Sequence, residues 1–582
     1  MRFRFRRIID DQVRNGYVHD MTSDVSGSRA PATELPGEEA RAGRRHDVIV
    51  IGAGHNGLVA ANYLQDAGLD VLVVDADSEI GGMTCSRFSI PGAPDHLVNH
   101  CAVDPILWSA NPPAKELALE SHGLRTLVVD PPFAYLDPDG SSIAFWRDPR
   151  ITAREIEKFS RQDAAAYLEF AAFLDAFFDV FNVVGAADPV RPGGRAAARI
   201  LRTALGHRKQ LGAFAAFALA SGKEVINERF RHPVVRAAMH VACGATTSSA
   251  QPGSAVQFLL LAAVHRDQCL RPIGGTQAIP NALAARFVAG GGAVMVNAPV
   301  AEITTASNRA TGVVLGDGTW LEASKGVVAS CDPAQALGTL LGPGTLPPEV
   351  EDRVRALPTN GFGWGQMKID VACSGRLDLS RHEKLRDDDL DLRIPSHWIG
   401  TEKGVERAYG AAIAGLMPSA EDLVFYNAIP TGPDPSQAPS GQDTLYSLSV
   451  AVPNEPAEGW DQLKEKAAAM TMSRLNEFYG NLLEIEISKT VDTHEDIAVQ
   501  RHVTGGCHPH VDQVLSRLGP LRPALGLGGY RTPVDRLFLA GAGSHPGGGV
   551  TGLPGYLGAR AFIRANEKSS PRSRLRTLTS RR

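Results

Sequence analysis

The residues best suited to chemistry in the first part of the chain are Gly52, Gly54, Gly57 and Asp75. The glycines have the spacing G-x-G-x-x-G, which allows a tight turn and lets a phosphate reach bare backbone N–H groups. Asp75 follows Gly57 by 18 residues, close to the separation at which a carboxylate accepts hydrogen bonds from ribose hydroxyls. These four residues therefore predict a site for a diphosphate that carries an unphosphorylated adenosine ribose.

The segments around these residues have the pattern of a βαβ unit. Residues 48–51 are a continuous apolar run of the kind found in buried parallel strands, residues 58–67 have helical periodicity, and residues 71–74 form a second apolar run. Because the first strand leads directly into the helix, phosphates would lie at the positive end of the helix dipole. A glycine-rich turn alone is often only a strand-to-helix turn, but strand, helix, second strand and acid together favour nucleotide binding.

Further motifs accompany this unit and identify a family by resemblance. The chain resembles the phytoene desaturase-like FAD-dependent oxidoreductases in four segments: GAGHNGLVAANYL (52–64), DADSEIGG (75–82), TGGCHPH (504–510) and GYRTPVDRLFLAGAGSHPGGGVTG (529–552). The resemblance extends over about residues 46–566. It implies noncovalently bound FAD and places Val300 against the adenine. The cofactor-binding residues it implies are Gly52, Ala53, Gly54, Asn56, Gly57, Asp75, Ala76, Gly81, Gly82, Met83, Thr84, Val300, Gly541, Ala542, Gly543, Gly549 and Val550.

The resemblance also implies an α/β fold. We expect a Rossmann-type FAD-binding domain of the glutathione reductase/amine oxidase-like kind, interleaved with an α+β substrate domain that carries a helical insert. The expected divisions are a disordered extension (1–45), the three parts of the FAD-binding domain (46–125, 266–340 and 531–566), the two parts of the substrate domain (126–265, with the insert, and 341–530) and a basic tail (567–582).

Within the substrate domain, we expect strands of a second sheet at residues 360–373, 423–429 and 446–452. We expect an amphipathic helix at residues 460–479. A long helical region is expected over residues 153–264, with apolar side chains spaced for one helix face: Leu168, Phe170, Phe173, Leu174 and Phe177. The phenylalanines are interpreted as core. The alternative is that the insert lines a lipophilic substrate tunnel or lies on a membrane surface, since basic residues flank it: Arg195, Arg199, Arg202, Arg208 and Lys209.

Composition excludes several other functions. The net charge of −5 gives no basic stripe for nucleic acid, so no nucleic-acid partner is expected. The seven cysteines are scattered without a C-x-x-C pair, which indicates a reducing cytoplasm and excludes a dithiol active site of that kind. Apolar stretches fall short of the roughly 18 residues that span a bilayer, so a cytoplasmic protein with at most peripheral membrane contact is expected. No metal-ligand spacing is present.

The catalytic candidates are His100, His510 and His545. His510 and His545 belong to the motifs quoted above, and His100 lies in the loop over residues 83–105 that the resemblance places beside the flavin. An isolated histidine without metal-ligand spacing is, however, more often structural than catalytic.

The motifs describe the cofactor much better than the substrate. We expect a dehydrogenase that forms C=C bonds in a lipophilic, carotenoid-like or polyene molecule by hydride transfer to flavin N5. A C=C reductase, a polyene isomerase, an amine oxidase and a non-enzymatic FAD-binding interaction protein are the alternatives. Because the sequence contains a single complete βαβ fingerprint, oxygen, a quinone or another carrier is expected to reoxidise the flavin.

Overall fold

A computed structural model describes residues 45–569 of the chain. The strands are β1 His46–Ile51, β2 Val71–Val74, β3 Ser86–Arg87, β4 Val98–Asn99, β5 Thr126–Val128, β6 Phe133–Leu136, β7 Ser142–Phe145, β8 Leu270–Pro272, β9 Ala293–Met295, β10 Val300–Ala306, β11 Arg309–Leu315, β12 Trp320–Ala329, β13 Trp364–Cys373, β14 Ser396–Ile399, β15 Phe425–Ala428, β16 Asp443–Pro453, β17 Glu486–Thr493 and β18 Leu537–Leu539.

The α-helices are α1 His55–Asp66, α2 Pro112–Glu116, α3 Pro149–Glu157, α4 Arg161–Gly185, α5 Gly193–Gly206, α6 Leu211–Leu219, α7 Gly222–Arg229, α8 Pro233–Gly244, α9 Leu259–Arg266, α10 Ala278–Ala289, α11 Pro348–Arg355, α12 Ser380–Glu383, α13 Glu402–Ile413, α14 Trp460–Asn476, α15 Leu482–Ile485, α16 His494–Gln500 and α17 Leu553–Ser569. No helix among these described residues is long and apolar enough to cross a membrane.

The first sheet contains the predicted βαβ unit. Its strand order is β10-β11-β12-β1-β2-β9, and β18 also pairs with β12. Strand β1 is parallel to both β2 and β12, while β10, β11 and β12 form an antiparallel meander. Segments from three distant parts of the chain therefore end at one edge of a single sheet, as the resemblance implied.

Close backbone contacts hold α1 and α17 against this sheet. A Cβ built on Gly57 would lie 1.9 Å from the carbonyl oxygen of Gly52, and one built on Gly555 would lie 2.1 Å from that of Asn56. Pro554 lies in the first turn of α17, where a helix accepts proline. The helix continues to Ser569, so residues 567–569 belong to it.

The second sheet has the order β17-β13-β16-β15-β14-β6-β7. Alternate residues of its strands face opposite layers: Phe133 and Tyr135 pack toward the helical insert, while Ala134 and Leu136 pack in the cluster that contains residues of α14. Strands β13, β15 and β16 were predicted from their apolar runs. Strands β14 and β17 were not, because neither has a long apolar run.

The helical insert packs largely as core. Phe170, Leu174 and Phe177 of α4 are buried in one hydrophobic cluster with Phe214 and Phe217 of α6. The Phe170 ring contacts Phe217, and the Phe177 ring contacts Phe214. Phe173 is partly buried against the same cluster, and Leu168, on the same helix, is 38% exposed.

All described residues belong to one compact unit, and the predicted domain boundaries stay a prediction. The predicted disordered extension and basic tail lie outside the described residues, apart from residue 45 and residues 567–569.

Replacing Gly555 with alanine should lower the free energy of unfolding by about 1–3 kcal/mol, because the new Cβ forces α17 away from α1. Gly410 in α13 is the matched control: it is exposed, and a Cβ there would contact nothing within 4 Å. Gly410→Ala should raise the free energy of unfolding by up to about 1 kcal/mol. Equilibrium urea unfolding measures both changes, and an unaltered stability of Gly555→Ala would contradict the packing argument.

Acid should destabilise the protein partly through His397. This ring is fully buried, its Nδ1 lies 2.8 Å from the Tyr479 hydroxyl, its Nε2 lies 2.6 Å from the Leu392 carbonyl oxygen, and burial lowers its pKa from 6.5 to about 4. The unfolded chain therefore takes up this proton first, and the stabilisation present above pH 6.5 is lost as the pH falls toward 4. One such residue accounts for about 3 kcal/mol over that range.

The measurement is the free energy of unfolding at several pH values between 4 and 6.5. His397→Gln should give a shallower dependence than the unchanged protein, and an equal slope in the two proteins would show that this ring does not contribute.

Candidate active site

A cavity of about 760 Å³ lies at the edge where β1, β2 and β12 end. Gly52, Asp75 and Ser330, which directly follow these three strands, all line it. This part is called the nucleotide half. The other part is called the aromatic half. It is lined by Val103 and Ile106 from the segment between β4 and α2, by Ala245 and Leu260 from the helical insert, and by Phe133, Trp398, Tyr426, Tyr446 and Leu448 from the second sheet.

The carboxylate of Asp75 is held against the glycine turn. Its Oδ2 accepts a hydrogen bond from Ala53 N at 2.5 Å, and its Oδ1 accepts one from Asp77 N at 2.8 Å. Burial raises the pKa of Asp75, and the two backbone donors oppose that shift. The end of β2 and the start of α1 thus form one surface, on which an acid and bare backbone lie side by side.

Most of the predicted cofactor-binding residues meet in this cavity. Those that line it are Gly52, Gly54, Asn56, Asp75, Ala76, Gly82, Met83, Thr84, Val300, Ala542, Gly549 and Val550. Five others do not: Ala53, Gly57, Gly81, Gly541 and Gly543.

Those five residues lie behind the cavity wall and set the position of its backbone. Gly81 N donates to the Ala53 carbonyl at 3.0 Å, and a Cβ on Gly541 would lie 2.3 Å from the carbonyl oxygen of Ser330. The glycine-rich segments therefore approach one another so closely that side chains have no room.

Of the three histidines predicted to be catalytic, only His510 lines the cavity. Its Nδ1 is buried and has no hydrogen-bond partner among the described residues. Burial lowers the pKa of His510, with the Asp332 carboxylate acting in the opposite direction, so the ring is neutral near pH 7.

The other two histidines make contacts outside the cavity lining. His545 places its Nε2 3.3 Å from the carbonyl oxygen of Val184, so its ring contacts the helical insert. The backbone N–H of His100 donates to the Cys85 carbonyl at 3.0 Å, and burial together with the nearby Arg501 cation lowers the pKa of its ring to about 2. Neither residue lines the cavity.

Three cavity histidines, His55, His502 and His508, and one arginine were missed. The Nδ1 atom of His55 lies 2.8 Å from the Thr84 hydroxyl. Burial lowers the pKa values of His55 and His508 to about 4. His55 and His508 belong to quoted motifs, so their places in GHNG and CHPH were an available signal. Arg501, which also lines the cavity, lies outside every quoted motif.

The aromatic half contains one buried ionic group, Asp104, and its charge is compensated. Its carboxylate accepts hydrogen bonds from Arg271 Nε at 2.6 Å, from the Ser396 hydroxyl at 2.5 Å and from the Tyr426 hydroxyl. Beside it, the rings of Phe133 and Trp398 stack with their centroids 4.4 Å apart. The surface offered to a ligand here is flat and mostly apolar.

No group of three or more His, Cys, Asp or Glu side chains within residues 45–569 is arranged to hold a metal ion.

Comparison with known proteins agrees with this geometry. The chain is 28% identical to pyridine nucleotide-disulfide oxidoreductase domain-containing protein 2 of Mus musculus, over 91% of this chain and 95% of that protein. It is also 28% identical to a zeta-carotene-forming phytoene desaturase of Myxococcus xanthus, over 88% and 92% of the two chains. The crystal structure of an oxidoreductase from Methanosarcina mazei shares the fold, with a TM-score of 0.56, 16% identity, and coverage of 89% of this chain and 99% of that one.

The family model for flavin-containing amine oxidoreductases matches residues 57–555, which is most of the chain. The expected FAD cofactor and Rossmann-type fold are therefore confirmed. This protein belongs to the flavin-containing amine oxidoreductase family and is an FAD-dependent oxidoreductase.

Proposed function

We propose that this oxidoreductase is a dehydrogenase that introduces C=C bonds into a neutral lipophilic molecule, carotenoid-like or another polyene. The observation that carries the proposal is the aromatic half of the cavity, which continues directly from the nucleotide half and presents mainly apolar side chains. Burying apolar ligand surface there contributes roughly 25 cal/mol per Å². The similarity to a phytoene desaturase supports the same substrate class.

The nucleotide half fits FAD. Gly52 and Gly54 leave the backbone at the start of α1 open, and Asp75 lies where the adenosine ribose is expected. Val300 and Gly549, from distant segments, line the same cavity and are proposed to contact the cofactor. Bound FAD would supply a two-electron acceptor for a hydride.

The charges in the cavity argue against an amine as substrate. Asp75, Asp77, Asp104 and Asp332 are the described carboxylates that line it, and each already accepts hydrogen bonds. In the aromatic half, where the substrate is expected, the Arg271 cation already compensates Asp104. A substrate ammonium there would be buried without a free carboxylate, which is unfavourable by several kcal/mol. A neutral substrate avoids this penalty.

His510 is the side chain we propose as the proton acceptor. A desaturation removes a hydride from one carbon and a proton from its neighbour, so it needs a base that is neutral before the reaction. Burial keeps His510 neutral, and its Nδ1 has no protein partner among the described residues. A positioned base of this kind contributes about 10²–10⁴-fold to a rate.

The direct test is anaerobic reduction of the bound flavin by a panel of polyenes in detergent micelles, acyl thioesters and amines. Polyenes should bleach the visible absorbance of oxidised flavin, and His510→Gln should slow bleaching by about 100-fold or more while keeping its flavin. His545→Gln is the matched control, because its ring lies outside the cavity. Bleaching by amines alone would replace this proposal with amine oxidation.

We further propose that oxygen, a quinone or another carrier reoxidises the flavin. Among the described residues, one strand–glycine turn–helix unit of the G-x-G-x-x-G kind is present, and Gly290–Gly292 ends α10 instead of starting a helix. A second dinucleotide therefore has no comparable binding surface.

Stopped-flow mixing with NADH or NADPH under anaerobic conditions should leave the flavin oxidised, whereas the reduced enzyme should be reoxidised on adding oxygen or a soluble quinone. Rapid bleaching by micromolar nicotinamide nucleotide would favour a C=C reductase instead.

A cytoplasmic enzyme with a lipophilic substrate has reason to contact membranes, and α5 is the surface we propose for this. None of its residues is buried, and Leu201 and Leu205 are 61% and 55% exposed. Arg195, Arg199 and Arg202 recur on one side of the helix, next to these leucines. An amphipathic basic helix of this kind lies in the interface of anionic lipid bilayers.

The protein should therefore cosediment with vesicles of anionic phospholipid more than with neutral vesicles. The double change Leu201→Glu and Leu205→Glu should abolish binding, because it removes the apolar contact and adds repulsion. Leu385→Glu is the control, since Leu385 is equally exposed at 64% but lies outside the helical insert. Equal loss in both variants would contradict the assignment to α5.

A further inference from the structure

The cavity has an unusual charge composition for a site that must hold a diphosphate. Four carboxylates line it, whereas Arg501 is the one lysine or arginine, among the described residues, that does so. The Arg271 cation offsets Asp104 from behind the wall. In the nucleotide half, the acids Asp75 and Asp77 would repel a phosphate group unless a cation stood beside them.

Arg501 occupies that place. Its side chain is only 4% exposed, and its Nη1 donates to Asp77 Oδ2 at 3.0 Å. Its Nε is buried and has no hydrogen-bond partner among the described residues. A buried guanidinium N–H that lacks a partner, in a side chain that lines a ligand cavity, indicates that a ligand acceptor completes its hydrogen bonds.

Asp77 does not depend on Arg501 alone for a cationic partner. Asp77 Oδ2 already accepts a hydrogen bond from Arg87 Nη2 at 2.8 Å. Burial raises the pKa of Asp77, but the Arg87 and Arg501 cations outweigh it and leave the pKa lowered. Both guanidinium groups contact Asp77, and Arg87 also pairs with Glu79 through Nε at 2.9 Å. Arg501, unlike Arg87, lines the cavity.

The backbone around Arg501 is anchored to the cofactor side of the cavity. The carbonyl oxygen of His502 accepts a hydrogen bond from Gln335 Nε2 at 2.6 Å, and the backbone N–H of Thr504 donates to Asp332 at 3.0 Å. Both partners follow β12 in the first sheet. The guanidinium is therefore held in place before a ligand arrives, which lowers the entropy lost on binding.

We infer that Arg501 binds the diphosphate of FAD and compensates the acidic side chains of the nucleotide half. The N–H groups at the start of α1 provide one side of the diphosphate site, and the guanidinium fork of Arg501 provides the other. The residue belongs to the segment that returns from β17 and α16, so the second sheet contributes directly to cofactor affinity. This role does not depend on which substrate is oxidised.

The test measures how tightly the full-length protein holds FAD, from the fluorescence of flavin released on dilution. Arg501→Gln should raise the FAD dissociation constant by about 10–100-fold, the usual effect of losing a charge-assisted hydrogen bond. Arg87→Gln is the matched control, because it removes the other cation on Asp77 without altering the cavity lining. Its dissociation constant should rise by less than about threefold.

Competition separates a diphosphate contact from a structural effect. ADP should displace FAD from the unchanged protein at lower concentration than adenosine, and added salt should reduce this advantage. Arg501→Gln should lose most of the advantage of ADP, whereas Asp75→Ala should weaken ADP and adenosine alike. If Arg501→Gln does not fold, Arg501→Lys, which keeps the charge, should retain the advantage of ADP but bind FAD a few-fold more weakly.

Equal displacement by ADP and adenosine in the unchanged protein would overturn the inference, as would equal losses of FAD affinity in Arg501→Gln and Arg87→Gln. If Arg501→Lys bound FAD with the same dissociation constant as the unchanged protein, the proposed contact between the planar guanidinium group and the diphosphate would be overturned.

Discussion

The close approach of Gly57 to the carbonyl group of Gly52 is the contact on which the rest of the structure depends. A Cβ at position 57 would lie 1.9 Å from that oxygen, so another residue there would push α1 away from the end of β1. With glycine, the first N–H groups of α1 reach the edge where β2 and β12 also end. Gly555 then allows α17 to pack on α1 at a similar distance.

Around that edge, the chain builds a cavity from pairs of residues that are remote in sequence. Arg271 neutralises Asp104 across 167 positions, and Arg501 contacts Asp77 across 424. A buried charge is stable only when a partner compensates it. For Asp104 and Asp77, that partner is an arginine from an element far away in the sequence. The interleaved chain path, which leaves the first sheet and comes back, supplies these partners.

Sequence alone predicted the parts of the protein whose signals are local. The first βαβ unit was located to within three residues, because its apolar runs and glycines adjoin the site they form. Strand β14 was missed, since its Ser396 and His397 are compatible with burial only through distant partners such as Tyr479. His545 had a strong local motif, yet its ring contacts Val184 in the helical insert. No local pattern reports such a contact.

Burial acts differently on the two halves of the cavity. It keeps His55, His508 and His510 neutral, because a protonated ring there would lose its hydration, and at His510 this loss outweighs the attraction of the Asp332 carboxylate. In the same weakly polar surroundings, the attraction between a charge and its partner is stronger, as it would be between Arg501 and a diphosphate. One continuous cavity therefore offers a cation in the nucleotide half, where the cofactor diphosphate is proposed to bind. It offers apolar rings in the aromatic half, where an uncharged substrate is proposed to bind.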